Sequence, residues 1–210
     1  MTLLSKLLAL FPGLVVTLAL ICFIAWVMTQ DWWWLILLIL TIYGLPLLTY
    51  RIHQLFYPLQ PGFSYLVGKQ YSPWWGTYQI QLIYSAFPAL EKLLHFVPGL
   101  FSLWLRLWGS TIGQKVLWTP SIQILDRGML HIGNQVIFGH QVTFVSHAIK
   151  PKQHNLLLYV DRITVGNNVF ISAEVGLSPG VAIADGSYIP FGMRIFPRQK
   201  YNSRPKAPEL

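Results

Sequence analysis

Between Ile112 and Pro197 aliphatic and aromatic residues return every six positions, a period that few folds accommodate. The count is unbroken from Val165 through Ile171, Leu177, Ile183 and Ile189 to Ile195. A second row follows four residues behind: Val169, Val175, Val181, Ser187 and Met193. Upstream, Ile132, Phe138 and Phe144 keep the same step, trailed by Val136, Val142 and Ala148. Ile112, Trp118 and Ile124 begin it, before a two-residue slip. A helix repeats every ~3.6 residues and a half-buried strand every ~2, so neither yields this step. A solenoid with three short strands per coil does, because each flat side sends one aliphatic inward per hexad. The spacing predicts a parallel β-helix over residues 111–199, of roughly four short coils.

The hexads break once, between Ala148 and Ile163. The inserted residues, Ile149 to Arg162, set Lys150, Lys152 and His154 beside Leu156, Leu157, Leu158 and Tyr159. They read as a loop projecting over a site, since long insertions of this kind are often functional. After the coils, residues 200–210 form a basic tail that is expected to be poorly ordered.

The other half of the chain obeys different rules. Hydrophobic residues make up 54% of the sequence and charged residues 10%, whereas about a quarter are charged in an ordinary soluble domain. The excess lies in the first 110 residues, whose acidic side chains are Asp31 and Glu91. Two apolar runs, roughly Leu7–Met28 and Trp32–Tyr50, are parted only by Thr29-Gln30-Asp31. Each is near the ~20 residues that cross a bilayer as a helix. A signal peptide is the weaker reading of the first run, because a second run begins at once with no small-x-small cleavage site between. A buried helical hairpin is the other alternative. Residues 1–50 are thus expected to be a two-helix hairpin in the cell membrane. Lys6 before it and Arg51 and His53 after it place both ends, and the later coils, on the cytoplasmic side.

Residues 51–110 read as a helical interfacial region. From Tyr78 to Trp108, Gln81, Ser85, Lys92, His95, Ser102 and Arg106 form a narrow polar stripe on otherwise apolar helices. Such helices lie in a membrane interface, with Lys92 and Arg106 reaching headgroups, or pack on the hairpin or another subunit. The net charge of +8 suits nucleic acid or an anionic membrane surface. No basic cluster is interleaved with aromatics, so membrane lipids are the expected partner and nucleic acid is not. Cys22 is the sole cysteine, lies in an apolar run and has no internal disulfide partner.

The stretch from Ile163 to Ile189, with its Val165-Gly166-Asn167-Asn168-Val169 opening and Pro179-Gly180-Val181 element, resembles the last coils of the hexapeptide-repeat acyltransferases. It is most similar to the branch that O-acetylates sugars. The resemblance covers Thr111 to Pro197 and implies a left-handed parallel β-helix, a homotrimer and an acyl-CoA co-substrate, acetyl-CoA first among them. It also implies a catalytic histidine at the end of a coil just before the projecting loop, where Ser146-His147 stands here. On the same ground Phe170, Ser172, Ala173, Ser178 and Pro179 would line the CoA groove. Arg194, with Arg198 and Lys200, follows the last coils and reads either as a partner of the CoA phosphates or as a solvated basic end near an anionic membrane. Several Ile-Gly pairs of the family read Ile171-Ser172, Leu177-Ser178, Ile183-Ala184 and Ile189-Pro190 here, and the usual C-terminal segment is replaced.

Acyl transfer from a thioester to a hydroxyl needs a base for the attacking group and donors for the oxyanion. A neutral imidazole suits the first role because it titrates near working pH. His147 is the candidate base, while Ser146 either orients its ring or simply ends a strand. His140 and His154 flank His147 at seven residues on either side, which does not match the zinc spacing of the related trimeric carbonic anhydrases, so no metal is expected. The chain therefore reads as a membrane-attached acyltransferase acting on a hydroxyl or amine of a glycolipid, lipid-linked sugar or isoprenoid. The alternative is a non-catalytic trimeric β-helix scaffold organising a membrane complex.

Overall fold

A computed structural model describes residues 2–68 and 70–203. The chain forms two compact units, one of residues up to 59 with 65–86, the other of residues 60–64 with 87 onward.

In the first unit the helix from Phe11 to Thr29 continues a short one over Leu3–Ala9. Gln30 then turns the chain in a left-handed conformation (φ 56°). Asp31 starts the return, its Oδ1 accepting from Trp33 N at 3.0 Å and satisfying a backbone donor that a helix start leaves open. The return runs Trp32–Ile39, a π-helical turn at Leu40–Gly44, and Leu45–Phe56. Leu3–Thr29 (mean hydropathy 2.7) and Trp32–Phe56 (mean hydropathy 1.9) are both long and apolar enough to cross a membrane. Both reach beyond the predicted runs.

Pro73–Ala86 is the remaining helix of this unit and packs against the other two. Gln81, expected on a wet stripe, is buried, and its Nε2 donates to Thr77 O at 3.0 Å. Tyr84 OH likewise donates to Ile42 O at 2.8 Å. Of the two readings of these helices, packing on the hairpin describes this one, whose buried residues meet neighbouring helices.

The second unit is a three-sided coil. One face stacks Thr111–Ile112, Leu130–Ile132, Ile163–Val165, Ala182–Ile183 and Lys200–Tyr201. The next stacks Ile137–Phe138, Phe170–Ile171 and Tyr188–Ile189, with Leu117 bridged to Ile137 below. The third stacks Gln123–Ile124, Thr143–Phe144, Gly176–Leu177 and Arg194–Ile195. All pairings within the three faces are parallel and in hexad register, such as Ile171 on both Phe138 and Ile189. The predicted inward residues are buried, from Ile132, Phe138 and Phe144 to Ile183, Ile189 and Ile195. Four coils and the first strand of a fifth are thus present among the described residues.

Three expectations are corrected here. Ala148 leaves its row, because at His147 the chain quits the coil. The insertion is not an irregular loop but an antiparallel hairpin, His147–Lys152 against Asn155–Val160, turning at Gln153-His154. And the tail does not lose order at 200, since Lys200–Tyr201 adds a strand to Ala182–Ile183; residues 204–210 lie outside the described residues.

Residues 87–110 belong to the coil's unit, and specific bonds hold them there. Leu100–Leu107 carries the buried Phe101, Trp104 and Leu105. Phe101 meets Trp118 edge-on at 5.5 Å, and Trp118 stacks on Phe138 at 4.6 Å. The helix therefore closes the open end of the hydrophobic core, which an end coil of a solenoid requires. Ser102, expected to be wet, is buried and accepts from Trp118 Nε1 at 2.8 Å. Arg106, expected to reach headgroups, donates from Nε to Ile112 O and from Nη2 to Gly113 O, at 2.9 and 2.8 Å.

Candidate active site

At the edge between the third face and the first, successive coils present residues 125–129, the hairpin, residues 178–181 and residues 196–199. His147 is the first residue of the hairpin and its side chain is 14% exposed. Its Nδ1 lies 2.7 Å from Oδ2 of Asp126, whose side chain is 2% exposed. The same carboxylate oxygen accepts from Ser146 N at 3.0 Å. Because that oxygen already accepts from Ser146 N, the ring's matching form donates from Nδ1, which in a neutral imidazole leaves the lone pair on Nε2. Imidazole and orienting carboxylate thus stand one coil apart at the same edge.

Asp126 was not anticipated from the sequence, although a trace of it was there. It occupies the two-residue slip between Ile124 and Ile132, the one place where the early hexads gain residues without a loop. The extra residues let the backbone bulge, so that Asp126 reaches the next coil. Ser146 was considered as the orienting group, but its side chain is buried away from that role and only its backbone N–H meets Asp126.

The bulge is itself braced. Arg127 is 1% exposed, with Nε 2.6 Å from Glu91 Oε1 and Nη2 2.7 Å from Glu91 Oε2. Trp104 Nε1 donates to Glu91 Oε1 at 2.9 Å. Ser110 Oγ donates to Arg127 O at 2.6 Å and accepts from Leu130 N at 2.9 Å. A fork-to-fork arginine–carboxylate pair fixes orientation as well as charge. Neither Glu91 nor Arg127 stood out in the sequence.

On the return strand of the same hairpin, Tyr159 OH donates to Asp161 Oδ2 at 2.6 Å, and Phe63 stacks on the Tyr159 ring at 4.6 Å. Burial, then the Asp161 hydrogen bond, push the phenol up to about 12, so it remains a donor at neutral pH. Gly180 fits this corner tightly, because a Cβ there would come 2.8 Å from both Tyr159 OH and Asp161 Oδ2.

The residues nominated for CoA are divided. Ser178 and Pro179 share the edge of His147, with Arg198 N donating to Pro179 O at 3.0 Å. Phe170 lies on the second face, stacked on Tyr188 at 5.6 Å. Ser172 and Ala173 turn the corner beyond it, pressed onto Gly139. Arg194 lies along the third face over Gly176, whose missing Cβ makes room for the guanidinium stem. Of the residues nominated for CoA, Ser178 and Pro179 are the ones that share His147's edge within one chain. His140 belongs to another corner, where Nδ1 meets Ser121 Oγ at 2.6 Å, and His154 is at the hairpin turn. Among the described residues no three His, Cys, Asp or Glu side chains gather as a metal set.

No protein-family model matches the chain. A stretch of 91 residues, 40% of the chain, is 35% identical to the galactoside O-acetyltransferase of Escherichia coli. It spans 44% of that relative, so the chain covers less than half of the curated protein it matches. Among solved structures it is similar to a hexapeptide-repeat-containing acetyltransferase of Vibrio cholerae complexed with acetyl coenzyme A. That likeness has 16% identity and a TM-score of 0.40, over 63% of this chain and 87% of the other. A galactoside acetyltransferase in complex with coenzyme A aligns at 20% identity and a TM-score of 0.35, over 53% and 74%. The resemblance read from the Ile163–Ile189 motifs is thus matched by a sugar O-acetyltransferase relative.

Proposed function

We propose that this chain is a membrane-attached acetyltransferase, carrying an acetyl group from acetyl-CoA to a hydroxyl of a membrane-associated acceptor such as a glycolipid or lipid-linked sugar. The observation that carries the reading is the 2.7 Å contact of His147 Nδ1 with the buried Asp126 carboxylate. A scaffold has no use for an imidazole held in one tautomer at a partly open edge. In the reaction Nε2 of His147 takes the acceptor's hydroxyl proton as that oxygen attacks the thioester carbonyl. The tetrahedral oxyanion collapses, the carbon–sulfur bond breaks, and the imidazolium returns the proton to the departing thiolate. Asp126 stays ionised and stabilises the imidazolium between the two transfers.

The relative's name supports acetyl transfer to a sugar hydroxyl, and the two long apolar helices support an acceptor met at a membrane. The left hand of the coil and a homotrimer follow from the resemblance. Assembly would also bring the divided CoA residues together, a second copy supplying Phe170, Ser172 and Ala173 opposite Ser178, Pro179 and Arg194. The second face suits that packing. Its outward residues are Leu117, Ile137, Phe170 and Tyr188, whereas the first face shows Thr111, His131, Thr164, Ala182 and Lys200.

The test is thiol release from acetyl-CoA by the detergent-solubilised protein, with an alkyl glucoside as probe acceptor. His147→Ala should lose about 10²–10⁴-fold in transfer, the worth of a positioned base. CoA binding by calorimetry and the melting temperature should hardly move. Full transfer in the folded variant would defeat the histidine mechanism.

A further inference from the structure

We infer that the buried Glu91–Arg127 pair is a positioning device for the reaction, holding Asp126 on His147 from a helix outside the coil. The inference rests on the proposed role of His147. Asp126 and Arg127 are consecutive residues of one short bulge, and their side chains go opposite ways. Asp126 reaches up to His147 Nδ1 and Ser146 N in the next coil, at 2.7 and 3.0 Å. Arg127 reaches back to Glu91 in the short helix Ala89–Leu93, through two bonds of 2.6 and 2.7 Å. The backbone that follows them is clasped by Ser110, which joins Arg127 O to Leu130 N. The bulge is thus gripped from both sides, and a shift of the backbone that aims the Asp126 Cα–Cβ bond at His147 would require the arginine to move.

A pair serving stability alone would be an expensive choice. Taking two ions out of water costs several kcal/mol each, which mutual attraction repays only with excellent geometry, and apolar replacements often do as well. What a planar fork pairing adds is orientation. The chain also satisfies Glu91 a third time, with Trp104 Nε1, so the carboxylate cannot turn to a different partner without giving up that bond as well. Outer partners of this kind are typically worth about 10–100-fold when lost from a site they orient.

The test uses the full-length protein in detergent, labelled with ¹⁵N-histidine, and reads the ring nitrogens of His147. The wild type should show the Nδ1–H tautomer. Glu91→Gln keeps the side chain's shape and an oxygen for Trp104 but releases the charge on Arg127. It should let the Nε2–H form appear and lower kcat about tenfold, with KM for acetyl-CoA unchanged. Arg127→Lys, which keeps the charge but not the fork, should behave the same way. Asp126→Asn is the reference for a ring released entirely. A ring that stays wholly Nδ1–H in both folded pair variants, while Asp126→Asn frees it, would overturn the positioning role. A ring that Asp126→Asn does not free would overturn the dyad itself. A fall in melting temperature with an unchanged tautomer and kcat would make the pair structural only.

Discussion

At the scale of single residues the site depends on a short polar chain, Glu91 to Arg127, then across the peptide to Asp126 and His147. Its weakest link chemically is the Asp126 carboxylate, because a neutral substitute changes which ring nitrogen holds the proton. Asp126→Asn should therefore cut acetyl transfer about 10²–10⁴-fold, comparable with loss of the histidine itself. Stability should fall by only about 1–3 kcal/mol, the penalty for weakening the acceptor of one buried backbone donor, Ser146 N. Chemical denaturation alongside the thiol-release assay separates the two. A folded variant with undiminished transfer would leave His147 without an orienting partner. At this scale the sequence shows only the break of the period at His147, and its proposed role came with the family resemblance. Asp126 hid in a slip of two residues, and Glu91 on a five-residue helix 36 positions from Arg127. No local pattern links residues so far apart.

At the scale of elements, the coil's stability is set by how closely one turn sits on the next. Corner residues at Gln135, Asn168, Gln141 and Glu174 adopt left-handed backbone (φ 56–61°), which turns each face into the following one. Glycine is required where adjacent coils touch. A Cβ on Gly133 would stand 2.6 Å from the backbone C and O of Gly166, and 2.8 Å from Asn167 Oδ1. The first two are backbone atoms, and Asn167 Oδ1 is held by Asn134 N at 2.8 Å, so none swings aside freely. Gly133→Ala is expected to cost about 1–3 kcal/mol by overpacking, seen as a lower melting temperature by circular dichroism, with kcat preserved in the fraction that folds. No loss of stability would mean the coils can part without penalty. The helices around the coil were less legible than the coil. An intermittent polar stripe reads equally well as a wet surface or as buried hydrogen-bonding groups, and Gln81 and Ser102 took the second course.

At the scale of the whole molecule, one chain exposes an apolar column that a lone β-helix would not need. Leu117, Ile137, Phe170 and Tyr188 are 57, 42, 41 and 39% exposed, one above another on the second face. If copies of the chain pack through that face, Ile137→Glu with Phe170→Glu should convert the oligomer to monomers in light scattering of the detergent-solubilised protein. Each unpaired charge would cost several kcal/mol to bury at such an interface. Transfer should fall with the oligomer, while the isolated coil keeps its far-ultraviolet spectrum. A double variant that keeps its mass would mean another face holds the copies together.

What the sequence determined alone was the period, and hence a three-sided parallel coil with its inward rows, its one insertion and the separate apolar segments before it. A period is a local property, repeated at every hexad, so each coil restates it and a single chain suffices to read it. Tertiary structure decided the partners across coils and across units of secondary structure. It set Asp126 against His147, closed the coil's end with Leu100–Leu107, folded the insertion into a hairpin and spread the CoA candidates over different faces. These outcomes depend on which atoms meet after some 20 to 36 residues of intervening chain. Burial makes such meetings obligatory, because an ion or a polar group removed from water must find its partner there.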